Sequence, residues 1–582
     1  MHIHVIPNRG SRPTILLRES YREKGKVKKR TLANLSKLPT DQLQLIRQVL
    51  KGEQLVRGET LFAVSSSRHD GHVQAVLKAM RQLRFDNLIA SQHTPERDLI
   101  VAMVTARILQ PESKLATTRW WHTTTLPDEC AVADATEDDL YQAMDWLVKR
   151  QHRIEKKLAT RHLKEGDLVL YDLPSSYFEG EACPLAARGY NRDRKKGKLQ
   201  VNYGLLTDSR GCPVSVSVHP GNTSDPTTLM PQVEKVKQRF DINSLVLVGD
   251  RGMISQTQVD KLKGIKGIDW ITALRSEQIR KLMEDGTITM SLFDQRNLFE
   301  FSHPDFPLER LVVCRNPLVA QKRARTRQSL IAATVKELEK VKGMVKRGRP
   351  NAKEKIGLRV GKVVNKYSGG VVSSKSVTTP PRVAKHFDLD IAKGHFSYRL
   401  LKEKVAAEAA MDGLYVIRTS LSKERMNGED AVRSYKRLSH VEQAFRSLKL
   451  IDLRVRPIYH HLEDRVRAHI FLCMLAYYVE WHMKEAWREL LFSDEDQGAK
   501  NTRDPVAPAV RSAKALNKVH RKRLDDGTRV HSFHTLLTDL STIVRNTCRR
   551  KGGEPGEPTF TMTTTPSAKQ KQALKLIDTI EV

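Results

Sequence analysis

Leu168-Val-Leu-Tyr-Asp172 and Leu245-Val-Leu-Val-Gly-Asp250 are two short apolar runs, and each ends in an aspartate. Runs of this length, rich in Val and Leu and closed by turn residues, predict buried strands. Working outward, Leu199, Val201, Tyr203 and Leu205 alternate along a second strand, Leu199 to Thr207. Gly211 turns the chain, and Val214, Val216 and Val218 alternate along a third. Pro226 to Phe240 carries Leu229, Val233 and Val236 on one helical stripe, Ser255 to Leu262 predicts another helix, and Trp270 to Leu274 a fifth strand. The order is β-β-β-α-β-α-β, with the two aspartates at the ends of the first and fourth strands.

This order predicts an α/β core in which a hairpin-built sheet continues into parallel strands joined by helices, the RNase H-like arrangement. Residues 166–275 form its first part. Residues 276–411 interrupt it, with strands expected at Glu309 to Val313 and Phe396 to Leu401 and a helix at Ser329 to Val345. Residues 412–490 resume it with a strand, Gly413 to Thr419, a long helix from Gly428 to Leu448 and further helices. Ahead of the core, residues 1–38 read as a small β unit with a basic hairpin around Gly25. Residues 40–164 read as helical, notably Val73 to Leu83, Pro95 to Leu109 and Asp138 to Leu158. That helical region fits either a DNA-end-binding unit or a scaffold. Residues 491–582 read as a basic tail with helices at Phe533 to Arg545 and Ser567 to Ile577.

The charge points to a polyanionic partner. The 582 residues hold 100 Lys+Arg against 67 Asp+Glu, a net charge of +33. A surplus of this kind is the footprint of phosphate binding. Between Arg315 and Lys366, 16 Lys+Arg face three acidic residues. A charge run is ordinarily a solvated face, but this one lies in the insertion between the two halves of the core, and Lys322, Arg323, Arg325 and Arg327 are its candidate DNA contacts. The six cysteines form no Cys-x-x-Cys pair, which argues against a zinc knuckle and fits a reducing compartment. The start of the chain lacks a signal-peptide pattern. The most apolar run, Ile470 to Val479, is about half of the ~20 residues a membrane span needs. A soluble, intracellular protein is expected.

Asp172 and Asp250 close neighbouring strands, and Glu442 lies on the long helix after the insertion. A lone strand-end aspartate is ordinarily a turn or cap. Three carboxylates converging on one point repel one another unless a cation lies between them, and hard oxygen ligands suit Mg²⁺. Two such ions can activate a water or a 3′-hydroxyl and stabilise the leaving oxygen of a phosphoryl transfer. Tyr435, Glu442 and Lys449 recur every seven residues, nearly two helical turns, and so share one face of the long helix, with Arg446 beside Glu442. His2, His4, His460, His461 and His469 are read as structural or phosphate-contacting rather than as metal ligands.

These residues also carry a resemblance. Tyr171-Asp172-Leu-Pro-Ser-Ser-Tyr-Phe-Glu179 resembles the first-aspartate motif of bacterial insertion-sequence DDE transposases, and Gly249-Asp250-Arg-Gly-Met253 the second. Gly189-Tyr-Asn-Arg-Asp193, Gln200 to Leu205 and Pro220 to Ser224 are similar to the stretch between them. Tyr435, Glu442 and Lys449 match the tyrosine, glutamate and lysine of the group's Y-R-E-K signature. Leu438 stands where that signature has its arginine, and Arg437 lies one position early. Arg456 to His460 and His469 resemble the segment that follows.

The resemblance implies a cut-and-paste transposase with a β-rich insertion domain. Such an enzyme binds terminal inverted repeats, pairs two ends as a homodimer, and cleaves and transfers strands using two Mg²⁺, which Mn²⁺ can replace. It implies Asp172, Asp250 and Glu442 as catalytic metal ligands, with Tyr435, Arg446, Lys449 and Arg251 positioning the DNA backbone. Some relatives hold a flipped base with an aromatic in the insertion; no Trp occurs between Trp270 and Trp481, so a Phe or Tyr would serve. The implied location is the bacterial cytoplasm, at the nucleoid. Two alternatives share parts of this pattern: an RNase H-like nuclease or resolvase, and an inactive transposase-derived DNA-binding protein.

Overall fold

The computed structural model describes residues 1–581 apart from 11, 54–61, 181, 191–192, 194, 196, 294–296, 367–382, 495–502, 508–510, 522, 525–526 and 551–557. Asn191 and Arg192 of the motif quoted above, and part of the C-terminal tail, thus lie outside the described residues. The chain divides into two compact units.

The first unit combines Met1–His69 with Ile543–Thr565. β1 (His2–Ile6), β2 (Thr14–Glu23) and β3 (Lys26–Asn34) form an antiparallel sheet. The hairpin turns at Lys24 and Gly25, both at positive φ, where glycine is favoured. A helix, Thr40–Leu50, packs beside β1. A second sheet sets β4 (Phe62–His69) against β16 (Val544–Arg550), which also pairs with β17 (Phe560–Thr563). Two expectations are corrected here. The 40–164 region is not wholly helical, because β4 lies within it. The expected Phe533 to Arg545 helix ends at Leu540, and the chain then enters β16. Sheet pairing across nearly five hundred residues overrides local helical preference at these points.

The second unit holds Asp70–Thr542 and Pro566–Val582. Its N-terminal helices include Gly71–Gln82, Pro95–Leu109, Glu137–Val148 and Gln151–His162. Asp138 to Leu158 is therefore two helices, interrupted near Arg150. The first begins in a capping box formed by Thr136 and Asp139. The end of the chain belongs to this unit rather than trailing from it. Trp487 donates its indole N–H to the Ala573 carbonyl at 2.8 Å, Lys78 donates to the Leu574 carbonyl at 2.8 Å, and Ala573 and Ile577 are buried.

The core is a nine-stranded mixed sheet flanked by helices. Its strands are β5 (Leu168–Asp172), β6 (Ser175–Tyr177), β7 (Gln200–Asp208), β8 (Pro213–Pro220), β9 (Leu245–Val248), β10 (Ile268–Ala273), β11 (Leu298–Phe301), β12 (Arg310–Arg315) and β15 (Leu414–Thr419). The order is β11-β12-β15-β10-β9-β5-β7-β6, with β8 also paired to β7. β5–β9 and β9–β10 are parallel, and β5–β7 and β7–β8 antiparallel, as the strand order predicts. The added short strand β6 follows Asp172 directly.

The insertion is not β-rich. It contains helices Ser276–Glu284, Pro317–Lys346, Lys353–Lys366 and Lys402–Ala410. Of its four described strands, β11 and β12 join the core sheet, and only β13 (Phe387–Ala392) and β14 (His395–Leu400) form a separate hairpin. That hairpin packs with the two longer helices around Leu338, Val341, Val360, Phe387 and Phe396. Apolar residues at helical spacing along a 30-residue segment bury one stripe on this hairpin and leave the basic face outward.

Candidate active site

The register of the parallel strands sets the first two carboxylates. Leu170 of β5 pairs with Val248 of β9, and Asp172 and Asp250 each follow two residues later. Neighbouring strands lie ~4.8 Å apart, so both aspartates stand at the same end of the sheet, where the two strands finish. Asp172 is half-buried, and its Oδ1 accepts the Leu173 N–H at 2.8 Å. Asp250 is exposed, and its Oδ1 accepts the N–H groups of Gly252 at 2.9 Å and Met253 at 2.7 Å. This turn locks the Asp250 carboxylate at the strand end.

Packing locks the level of β5. The Tyr171 hydroxyl donates to Thr228 Oγ1 at 3.1 Å, and its ring lies against Gly204 of β7. A Cβ at Gly204 would stand 2.1 Å from the Tyr171 hydroxyl, so only glycine fits there.

The helix carrying Glu442 is not continuous. It runs as Gly428–Lys436, breaks at Arg437, resumes as Leu438–Arg446 and ends in a π-turn, Ser447–Ile451. Val441, Ala444 and Phe445 are buried, and the Phe445 ring meets Tyr203 edge-on at 6.5 Å. Glu442 lies half-buried on a helix that packs against β5. At its start, His440 sits against Gly211, which has φ +90° and room for no Cβ, and His440 Nδ1 lies 3.3 Å from the Ser209 carbonyl. Arg437 is exposed at the break, and Leu438 is half-buried.

Tyr435 lies near all three carboxylates. Burial raises the pKa of its phenol, and the negative charges of Asp250, Asp172 and Glu442 push it the same way against the opposing charge of Arg251. One side chain thus lies within electrostatic reach of all three carboxylates and of Arg251. Arg251 in turn acts on Arg323, whose pKa is lowered first by burial, with Arg327 and Arg251 adding to it.

Other expected DNA contacts sit differently. Lys322 and Arg325 are exposed, and so is Arg446. Arg327 is buried and bonds the Asp412 carboxylate, so its expected place on a DNA-facing surface is corrected. Lys449 is not on an open helix face either: its ammonium donates to the Ser175 carbonyl and pairs with Asp193 at 3.3 Å. Asp193 also pairs with Arg456, whose guanidinium lies 5.6 Å from the Tyr177 ring centre. The sequence reading missed this Lys449–Asp193–Arg456 cluster. Asp193 and Arg456 both stood in quoted motifs, but no local pattern joins them.

His469 is structural, as expected. It is buried, with Nε2 3.0 Å from the Val455 carbonyl, and burial holds its pKa well below the usual value. All six cysteines are free and buried. Among the described residues, one group of three His, Cys, Asp or Glu side chains brings its ligand atoms within 4.8 Å of one another: His162, Cys212 and His482. The carboxylate trio is more open than that.

Residues 174–479, more than half of the chain, match the family described as the transposase DDE domain. The chain is a DDE transposase. Residues 3–68 also match the N-terminal domain of the IS1634 family of transposases, which places the protein among insertion-sequence enzymes. The span matched to the DDE domain contains Asp250 and Glu442 and begins two residues after Asp172. This family membership makes the protein an enzyme that cleaves DNA and transfers strands, with a divalent metal ion. No curated protein matches the transposase. A solved structure titled as a piggyBac transposase synaptic complex with hairpin DNA aligns with 80% of this chain and 77% of its own, at 9% identity and a TM-score of 0.34, a likeness too loose to bear on function. No helix among the described residues is long and apolar enough to cross a membrane.

Proposed function

We propose that the transposase works by cut and paste, with Asp172, Asp250 and Glu442 holding two Mg²⁺ ions at the ends of its own element. The observation that supports this reading is the register that sets Asp172 and Asp250 at the ends of adjacent strands, with Glu442 on the helix packed against β5 and all three carboxylates acting on Tyr435. The donor set fits the ions: hard carboxylate oxygens from three segments, mutually repulsive without a cation between them. Bound there, the ions would supply Lewis-acid stabilisation to a phosphodiester and activation of the attacking hydroxyl.

The protein's own groups would hold the DNA. Arg251 and Arg446, with Lys322, Arg323 and Arg325 from the insertion helix, are cations suited to phosphate oxygens on the approach to the site. The Tyr435 phenol, kept protonated by its surroundings, can donate a hydrogen bond to a phosphate oxygen. Lys449 would act through the loop after Asp172, holding the Ser175 carbonyl and with it the position of that aspartate. Asp193 and Arg456 anchor Lys449 in turn. No side-chain nucleophile is needed, because water and the 3′-hydroxyl are the attacking groups.

The DNA ligands would be terminal inverted repeats and a target duplex, held by two copies of the chain at the bacterial nucleoid. The deciding experiment compares wild type with Asp172→Ala on DNA carrying the element's end. The variant should bind but not nick this DNA in Mg²⁺. Nicking by the variant would overturn the assignment.

A further inference from the structure

The turn between β7 and β8 brings Cys212 against two histidines from distant segments. Cys212 Sγ lies 3.8 Å from Nε2 of His482, on the Glu463–Ala486 helix, and His162 ends the Gln151–His162 helix. Ligand atoms of all three lie within 4.8 Å of one another. Cys212 and His482 are buried, and His162 is half-buried. A thiolate with two imidazoles is a donor set for Zn²⁺. Zn–S of ~2.3 Å and Zn–N of ~2.0–2.1 Å at a tetrahedral angle put sulfur and nitrogen about 3.6 Å apart. The Cys212–His482 separation is already close to that edge.

The surroundings hold these ligands in place. The Asp208 carboxylate accepts the Cys212 N–H at 3.0 Å and pairs with Arg210, which stacks over the Trp481 ring. The Tyr478 hydroxyl lies 3.0 Å from His162 Nε2, and its ring packs against His482 at 4.8 Å. The same turn supports the Glu442 helix, since Gly211 abuts His440 and the Ser209 carbonyl faces its ring.

We propose that His162, Cys212 and His482 bind one Zn²⁺ ion that ties the N-terminal helices, the β7–β8 turn and the Glu463–Ala486 helix together behind the catalytic carboxylates. On binding, the Cys212 thiol proton passes to solvent as the zinc–sulfur bond forms, and a water completes the tetrahedron. No oxidation or reduction is involved. This inference stands independently of which carboxylates catalyse the reaction.

The test uses the full chain carrying Asp172→Ala, stripped of metal with a chelator and titrated with Co²⁺. One equivalent should bring tetrahedral cobalt absorption with a thiolate-to-cobalt band, and Cys212→Ser should abolish that band. His482→Gln should weaken binding at least about tenfold. No thiolate band, or one unchanged in Cys212→Ser, would overturn the proposal. If Cys212→Ser does not fold, X-ray absorption of the protein with one equivalent of Zn²⁺ decides. One sulfur among nitrogen ligands supports the site, and an all-oxygen shell rejects it.

Discussion

Asp172 and Asp250 follow the same register pair, Leu170 with Val248, by the same two residues in adjacent parallel strands. Two carboxylates are thereby set at the same end of two adjacent central strands. Nothing in strand pairing demands a carboxylate at either position. Under the proposed function, a divalent cation held by both carboxylates would offset their mutual repulsion.

The first prediction follows from that repulsion. Asp172→Asn and Asp250→Asn should each lower Mg²⁺-dependent nicking of element-end DNA by at least about a hundredfold. Without metal, each should leave the Tm unchanged or raise it, because one repelling charge is gone. The rise in Tm on adding Mg²⁺ should disappear. Thermal melts with and without Mg²⁺ check the second half independently of activity.

Exposure separates the insertion cations. Lys322→Gln with Arg325→Gln should flatten the dependence of DNA affinity on salt, by about one in slope for each phosphate that the variant no longer neutralises. Arg327→Gln should leave that slope alone and instead destabilise the fold by about 3–5 kcal/mol, because it strands the buried Asp412 carboxylate. Binding titrations across salt concentrations and denaturant melts distinguish the two outcomes.

Asp193 anchors Lys449 and Arg456 while itself only 5% exposed at the side chain. Asp193→Ala should therefore cost stability, because two half-buried cations lose the carboxylate they share. It should also reduce nicking by loosening the start of β6 at Ser175, just after Asp172, while the DNA-binding salt slope stays constant. A changed slope would mean that Lys449 contacts DNA directly.

Lys114 supplies a pH prediction. Burial, reinforced by Arg107, lowers its pKa to about 7 in the folded chain. The unfolded chain thus binds the extra proton between about pH 7 and 10. Stability should rise with pH across that window, by up to about 1.4 kcal/mol per unit from this group. Lys114→Met should remove this slope, and its gain in Tm should be largest at or below pH 7. Melts from pH 6 to 10 measure it.

The catalytic scaffold is legible in the sequence because its information is local. Val and Leu at every second or successive position in β5, β7, β8 and β9 predict strands, and the strand order implies the sheet. The aspartates stand out because each closes such a run. The insertion departs from expectation because the family resemblance implied a β-rich domain; the two strands expected at Glu309 to Val313 and Phe396 to Leu401 are present, but helices fill most of the segment between them. The 30-residue helix from Pro317 to Lys346 starts twelve residues before the periodic stretch visible in the sequence.

Local pattern alone thus reveals the core of alternating strands and helices, the two strand-end aspartates and the basic surplus. Tertiary structure alone decided the rest: the break at Arg437, the burial of Arg327 by Asp412, the anchoring of Lys449 by Asp193, and the return of the chain's end to both units. The ion pairs join residues 85 and 256 positions apart, and the chain's end returns from still further along the sequence. Periodicity records which face a segment buries, but not which distant charge or strand will meet it there.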